Sequence, residues 1–414
     1  VHPPPLRTVL VVAVGLAALA VAADRLVNSP GFRVPKDFAE YWSAGAVNLR
    51  GGNPYDPAEI LAWQRKADPD RTEAVMMWNP PWSLAVYMPL GLLPVRWAAL
   101  AWLGLQLLAL RAACDMLWRT YGGPEGSRWL GLVVGLTSAG SLWTLFYGQN
   151  TGFLLLGLAG FVYHRKHDRP ATAGAFAALT ALKPHLLAVF GVLLVLDAVT
   201  RRGRVALAAG AALVAVSLGL AVLANPDVIA QYRAALRDPG PGAVPLAEWK
   251  LPVVSYWLRM NVDRLGIGLS PSQFWVQFVP CAAACLGYAV YRAWRGGRWD
   301  WPAELPAVVC VSVLVTPYGG WIFDLAVLLV PLVRAAVWVV KSRRWLLGGV
   351  LAAGHLTIAA VPFVRGGGLD DYLWLAPAAV GLYLLAAVLK SRFHHRGTEQ
   401  RVVSTGSQDA RDSY

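Results

Sequence analysis

Charge is scarce in this sequence. Only 15% of its 414 residues are Asp, Glu, Lys or Arg, against about 25% in a soluble domain. Acidic residues are the scarcer sign, 24 against 37 basic. Cysteine is nearly missing: Cys114, Cys281, Cys285 and Cys310 all lie in or beside apolar stretches, which excludes a secreted disulfide scaffold. Cys281 and Cys285 stand one helical turn apart, a spacing that suits the packing of a helix face. No metal-ligand spacing occurs among the four. No Walker loop, GxGxxG or GxSxG elbow occurs in a suitable context, so nothing supports a nucleotide-using cytoplasmic enzyme. No internal repeat is evident.

What is present is apolar length. Hydrophobic residues make up 57% of the chain, the mean hydropathy is +0.47, and the apolar residues come in blocks. This excludes a soluble enzyme and a disordered chain, and predicts an all-α polytopic membrane protein. The first block runs from Val9 to Ala23 and is expected to be an uncleaved anchor. Further blocks cover about 97–117, 129–147, 151–163, 170–182, 185–199, 205–224, 271–291, 303–317, 321–340, 345–363 and 372–389. Three of them, 151–163, 170–182 and 185–199, are short for a crossing of about 20 residues. Most of the 19 tryptophans stand near span ends, as an aromatic belt would place them.

The links assign the sides. Five short links carry Arg165, Lys166 and Arg169; Arg201, Arg202 and Arg204; Arg292, Arg295 and Arg298; Lys341, Arg343 and Arg344; and Lys390, Arg392 and Arg396, opposed only by Asp168 and Asp300. Segment 24–75 instead has seven basic and eight acidic residues. The positive-inside rule puts the five links in the cytoplasm and 24–75 outside. That parity holds with about twelve spans if 79–94, interrupted by Pro80, Pro81, Pro89 and Pro94, is a re-entrant or interfacial broken helix. Both termini are then cytoplasmic. The expected organisation is one transmembrane domain over 1–395, with outer loops 24–75 and 225–270, and a disordered cytoplasmic tail over 396–414. The surplus of positive charge is thus a topology signal and not a nucleic-acid footprint.

Outer links far apart in sequence should converge on one membrane face, and they hold the few polar groups that could do chemistry. Asp37 precedes an expected helix with Glu40 three residues on, a capping-box-like pattern. Tyr41, Ala44 and Leu49 would give that helix an apolar face against the membrane surface. Asp37 is then either a cap or a carboxylate at a cavity mouth, raised in basicity by partial desolvation and acting as a general base; Glu40 is the subordinate candidate. Lys183, in ALKPH, lies at membrane depth, where a cation either snorkels or serves a function such as contact with an anionic headgroup. His185 beside it is a candidate to share a phosphate. Gln149 and Asn150, in YGQNTG, are either turn caps or hydrogen-bonding groups for a sugar or phosphate. In TPYGGWIFDL, Tyr318 stands at an outer turn and Asp324 about one turn into the next span. An intramembrane aspartate needs a partner, with Lys183 or an arginine to supply it.

In order and spacing, DFAEYWSAG, GGNPYDP, NPPWSLAVYMPLGLLP, YGQNTGFLLL, ALKPHLLAV and TPYGGWIFDLAVLLVP resemble glycosyltransferase family 87, a branch of the GT-C membrane superfamily. The resemblance implies a polytopic hexosyltransferase using polyprenyl-phosphate mannose on the extracytoplasmic face of the cell membrane. The acceptor would be an envelope glycolipid or glycan. It further implies single displacement with inversion, with Asp37 as base and Lys183 on the donor phosphate. From the residues alone, His185 is a candidate to share that phosphate or stay neutral, and Tyr41, Gln149, Asn150, Tyr318 and Asp324 are candidates for the sugar and acceptor sites. No cofactor is expected, a divalent ion remaining open, and the partners are the two substrates and membrane lipids, not nucleic acid. Some relatives carry a histidine after the late SP/TP turn; here the positions are Trp321, Ile322, Phe323 and Asp324. The competing reading is a transporter or flippase of a lipid-linked sugar, which should show repeat-related broken helices. A non-catalytic scaffold in envelope assembly is the third.

Overall fold

The computed structural model describes residues 21–29, 31–238, 254–266, 276–317, 320–366, 372 and 374–390. Most of the Val9–Ala23 block, part of the 225–270 loop, Tyr318 and the 396–414 tail lie outside the described residues. All regular structure among the described residues is helical. Among the described residues, four helices are long and apolar enough to cross a membrane: Val95–Thr120, Arg201–Ala224, Ile322–Ser342 and Trp345–Arg365. A fifth arises if Glu125–Leu136 and Ala139–Tyr147, bent by 60° at their junction, count as one span. Other expected blocks form shorter helices, Pro170–Leu182, Ala188–Asp197, Trp301–Val315 and Leu375–Lys390. At 1.5 Å per residue such helices do not cover an apolar layer of about 30 Å alone.

Burial divides the long helices by environment. Only 11% of the apolar window in Trp345–Arg365 and 17% in Arg201–Ala224 is buried, against 72% in Ile322–Ser342. The first two present Leu346, Val350, Val216 and Leu223 outward, an arrangement that is stable in lipid and costly in water.

The chain divides into two compact units. The first comprises Val1–Leu107, Leu145–Gln149 and Ala215–Val244; the second comprises Leu108–Thr144, Asn150–Val214 and Pro245–Tyr414. At the centre of the first unit is helix Phe38–Asn48, every residue of which is buried except Glu40. Sequence alone suggests an amphipathic surface helix. The difference lies in its small residues. A Cβ on Gly45 would fall 2.5 Å from the Tyr87 carbonyl oxygen, and one on Gly91 would fall 2.6 Å from the Ala46 backbone. The proline-broken segment therefore docks backbone to backbone on this helix, as the turns Pro81–Ser83, Leu84–Tyr87 and Leu90–Leu92. An aromatic cluster fills the interior: Tyr41 stacks on Tyr87 at 4.6 Å, and Trp102 lies 5.8 Å from both rings. Asn225 closes the unit by donating to Gly52 O at 2.7 Å.

Gly45→Val should destabilise this unit by about 1–3 kcal/mol, the usual cost of overpacking. Gly191→Ala, whose added methyl meets nothing within 4 Å, serves as the control. A lower thermal midpoint in the first variant and an unchanged one in the second is the expected result.

In the second unit, helix Thr151–Lys166 lies along Pro170–Ala177, where Gly160 accommodates the Phe176 ring. The 129–147 block departs from the single span expected. Ser138 turns its hydroxyl onto Gly135 O and Ser141, and accepts the Ser141 N–H, so the helix breaks there. Gly140 follows at once, with the Ala326 backbone nitrogen 2.1 Å from where its Cβ would sit.

Candidate active site

Two polar clusters stand out from this apolar framework, one in each unit. The first begins at Asp37. It occupies the N-cap position of helix Phe38–Asn48, yet its side chain makes no capping hydrogen bond. Instead, Asp37 Oδ2 accepts from Gln149 Nε2 at 2.8 Å, and Gln149 Oε1 accepts from the Tyr41 hydroxyl at 2.6 Å. Only one orientation of the Gln149 amide serves both neighbours, because an ionised carboxylate has no hydrogen to give. Burial raises the Tyr41 phenol well above its ordinary value of 10.0, with the charges of Glu40 and Asp37 adding to it. Tyr41 therefore remains a neutral donor at neutral pH, and holds the amide with its nitrogen toward Asp37.

Backbone geometry brings these residues together across more than a hundred positions. The Asp37 N–H donates to Tyr147 O at 3.0 Å. Gly148 follows with φ +73°, and its missing side chain lets Pro35 and Phe38 approach to 2.8 and 2.6 Å of the Cβ position. Trp102 Nε1 donates to Gly148 O at 2.7 Å and fixes the turn. Gln149 is thereby delivered beneath Asp37. Gln149 and Tyr41 are buried, whereas Asp37 and Glu40 are half-buried and keep access to the surface of their unit.

The second cluster centres on Lys183, the residue that ends the 3-10 turn Ala178–Leu182. Its Nζ pairs with Asp324 Oδ1 at 2.8 Å, with both side chains almost fully buried. It also lies 4.8 Å from the centre of the Phe323 ring. Asp324 is held from three further sides: Thr151 Oγ1 donates at 3.2 Å, Gly320 N at 3.1 Å and Trp321 N at 3.2 Å. These four donors match the capacity of one carboxylate. Lys183 is thus anchored inside its unit by Asp324. His185 is half-buried, and its carbonyl accepts from Thr316 Oγ1 at 3.3 Å. Asn150 is fully buried at the start of helix Thr151–Lys166 and makes no side-chain cap.

Asp37, Tyr41 and Gln149 are therefore brought together, with Glu40 on the same turn of helix; Lys183 and Asp324 are brought together in the other unit. Sequence reasoning did not select Thr151, which adjoins the recognisable GQN turn, or Phe323. Among the described residues, no group of three or more His, Cys, Asp or Glu side chains gathers as a metal cage.

Gln149→Leu, which removes the amide that holds Asp37, should lower turnover by up to about a hundredfold, the loss that follows a shift of about 1 Å. Tyr41→Phe, which keeps the ring stacking, should have the smaller effect. Steady-state kinetics of folded variants would check both.

No curated protein matches the chain, and no solved structure does. The model of glycosyltransferase family 87 matches residues 78–317. That range begins just before the proline-broken turns, includes Gln149, Thr151 and Lys183, and leaves Asp37 before it and Asp324 after it. With more than half of its length matched and the apolar helices of a membrane protein, the chain belongs to glycosyltransferase family 87, a GT-C family, and is a membrane glycosyltransferase.

Proposed function

We propose that the enzyme transfers a hexose, mannose by the family resemblance, from a polyprenyl phosphate to a hydroxyl group of an envelope glycolipid or glycan. The observation that carries this reading is the Asp37 carboxylate, which leaves its capping position unused and is oriented by Gln149 and Tyr41. A carboxylate so held is suited to proton abstraction in one defined direction. In the proposed step Asp37 takes the acceptor hydroxyl proton as that oxygen attacks the anomeric carbon. The bond from this carbon to the phosphate oxygen breaks, and the electron pair leaves with polyprenyl phosphate. The anomeric configuration inverts. Lys183, which Asp324 holds in place, is the cation proposed to meet the departing phosphate.

Glu40 is the reserve carboxylate, His185 a further phosphate contact, and Asn150 and Tyr318 contacts for sugar or acceptor. About twelve crossings, with the basic links and both termini in the cytoplasm, would place the chemistry on the extracytoplasmic face of the cell membrane. A lipid-phosphate donor is pre-activated, so a base, a cation and correct positioning suffice.

The test is reconstituted protein supplied with labelled polyprenyl-phosphate mannose, its glucose and arabinose analogues, and nucleotide sugars, together with an envelope extract. Transfer from a lipid-phosphate donor alone is expected. Transfer from nucleotide sugars, or movement of intact donor across the bilayer without transfer, would overturn the reading.

A further inference from the structure

A cavity of about 440 Å³ opens in the second unit, lined by Tyr121, Asp300, Arg334, Trp338, Lys341 and Lys390 among others. Its volume falls within the range of small-ligand sites. Helix ends build it. Tyr121 follows Val95–Thr120, Asp300 caps Trp301–Val315, Lys341 lies in the last turn of Leu329–Ser342, and Lys390 ends Leu375–Lys390.

The charge here is unbalanced. Elsewhere Arg119 and Arg128 share Asp115, Arg165 pairs with Asp197, and Arg295 pairs with Glu304. Among the described residues no ion pair is seen for Arg334, Lys341 or Lys390. The one carboxylate in the wall, Asp300, accepts the Ala303 N–H at 3.2 Å. Arg334 donates to Ala303 O at 2.7 Å and lies 5.8 Å from the Tyr121 ring centre, which holds its guanidinium against the wall. The buried Tyr121 hydroxyl has no hydrogen-bond partner among the described residues. Three cations around one cavity repel each other, and an anion relieves that repulsion. A donor hydroxyl and an aromatic wall suit a ligand that is anionic at one end and apolar at the other.

Lys341 and Lys390 belong to basic links read as cytoplasmic, where anionic headgroups collect. We infer that this cavity binds the phosphodiester headgroup of an anionic phospholipid in the cytoplasmic leaflet. The inference depends on that placement of the basic links, and not on the sugar donor or on the role of Asp37.

The test uses the full-length protein in phosphatidylcholine nanodiscs, with dioctanoyl phosphatidylglycerol, its phosphatidylcholine counterpart and inorganic phosphate as probes. Binding is read by native mass spectrometry. Phosphatidylglycerol should bind and the choline lipid should not, with millimolar phosphate failing to compete. Each interfacial lysine contributes about 1 kcal/mol toward an anionic lipid, so Lys341→Gln combined with Lys390→Gln should weaken binding about twenty-fivefold. The corresponding Lys→Arg pair should retain it. In the wild-type protein, phosphatidylglycerol should also protect Lys341 and Lys390 from acetylation, a readout that needs no variant to fold. Equal acetylation with and without phosphatidylglycerol, or equal affinity of the Gln variant, would overturn the inference. Displacement by inorganic phosphate would overturn the lipid as the source and leave a soluble phosphate site.

Discussion

Asp37→Asn should reduce kcat by about 10²–10⁴, the usual contribution of a positioned general base, while the KM for donor stays nearly unchanged. The substitution is close to isosteric, and its amide oxygen can still accept from Gln149 Nε2, now at 2.8 Å from the carboxylate. Fold and orientation are therefore preserved while basicity is lost. The side chain makes no capping bond to helix Phe38–Asn48, so no cap stabilisation of about 1 kcal/mol is at stake. The thermal midpoint should accordingly match that of the wild type. A variant that retains more than about a tenth of the rate would remove Asp37 from the proton transfer.

Asp324→Ala should destabilise the protein by about 3–5 kcal/mol, because it strands the buried Lys183 ammonium. It also deprives Thr151, Gly320 N and Trp321 N of their acceptor. The double variant Lys183→Met with Asp324→Ala should recover part of that stability, since the uncompensated charge is gone, yet remain inactive. Lys183→Met alone should be less destabilising than Asp324→Ala, because three other donors still hold the carboxylate. Equilibrium unfolding of the three variants would reveal this order. A loss below about 1 kcal/mol in Asp324→Ala would mean that Lys183 finds water or another partner, and that the pair does not fix the ammonium.

How much of this was legible in the sequence differs from cluster to cluster. Lys183 and Asp324 could be singled out because charges at membrane depth are rare and need partners, and the expectation of a partner for Asp324 is met by Lys183 itself at 2.8 Å. Asp37 could be singled out as well, but the capping-box pattern around it pointed to a hydrogen bond that the structure does not make. What resolves its position is Gln149, more than a hundred residues away. Its approach depends on the positive φ of Gly148 and on contacts of that glycine with Pro35 and Phe38, a long-range coincidence that no local pattern encodes. The same limitation explains helix Phe38–Asn48. Its spacing of Tyr41, Ala44 and Leu49 suggested one apolar face, whereas Gly45 and Ala46 admit a second backbone on another side. The break at Ser138 was hidden because apolar composition continues through it, and only the serine hydroxyls and the close approach at Gly140 reveal the bend. Thr151 is a polar residue at a helix start, and nothing local distinguishes its bond to Asp324 from an ordinary cap.

The central claim is that Asp37 acts as a base in a one-step displacement, and the anomeric configuration of the product is its most direct test. Wild-type enzyme would be given a polyprenyl-phosphate hexose of defined configuration and an acceptor, with the new linkage read by NMR and the intact protein mass followed during turnover. The expected result is a product of opposite configuration, one polyprenyl phosphate released per sugar transferred, and no sugar adduct on the protein. Retained configuration, or a hexose covalently attached to Asp37, would contradict it.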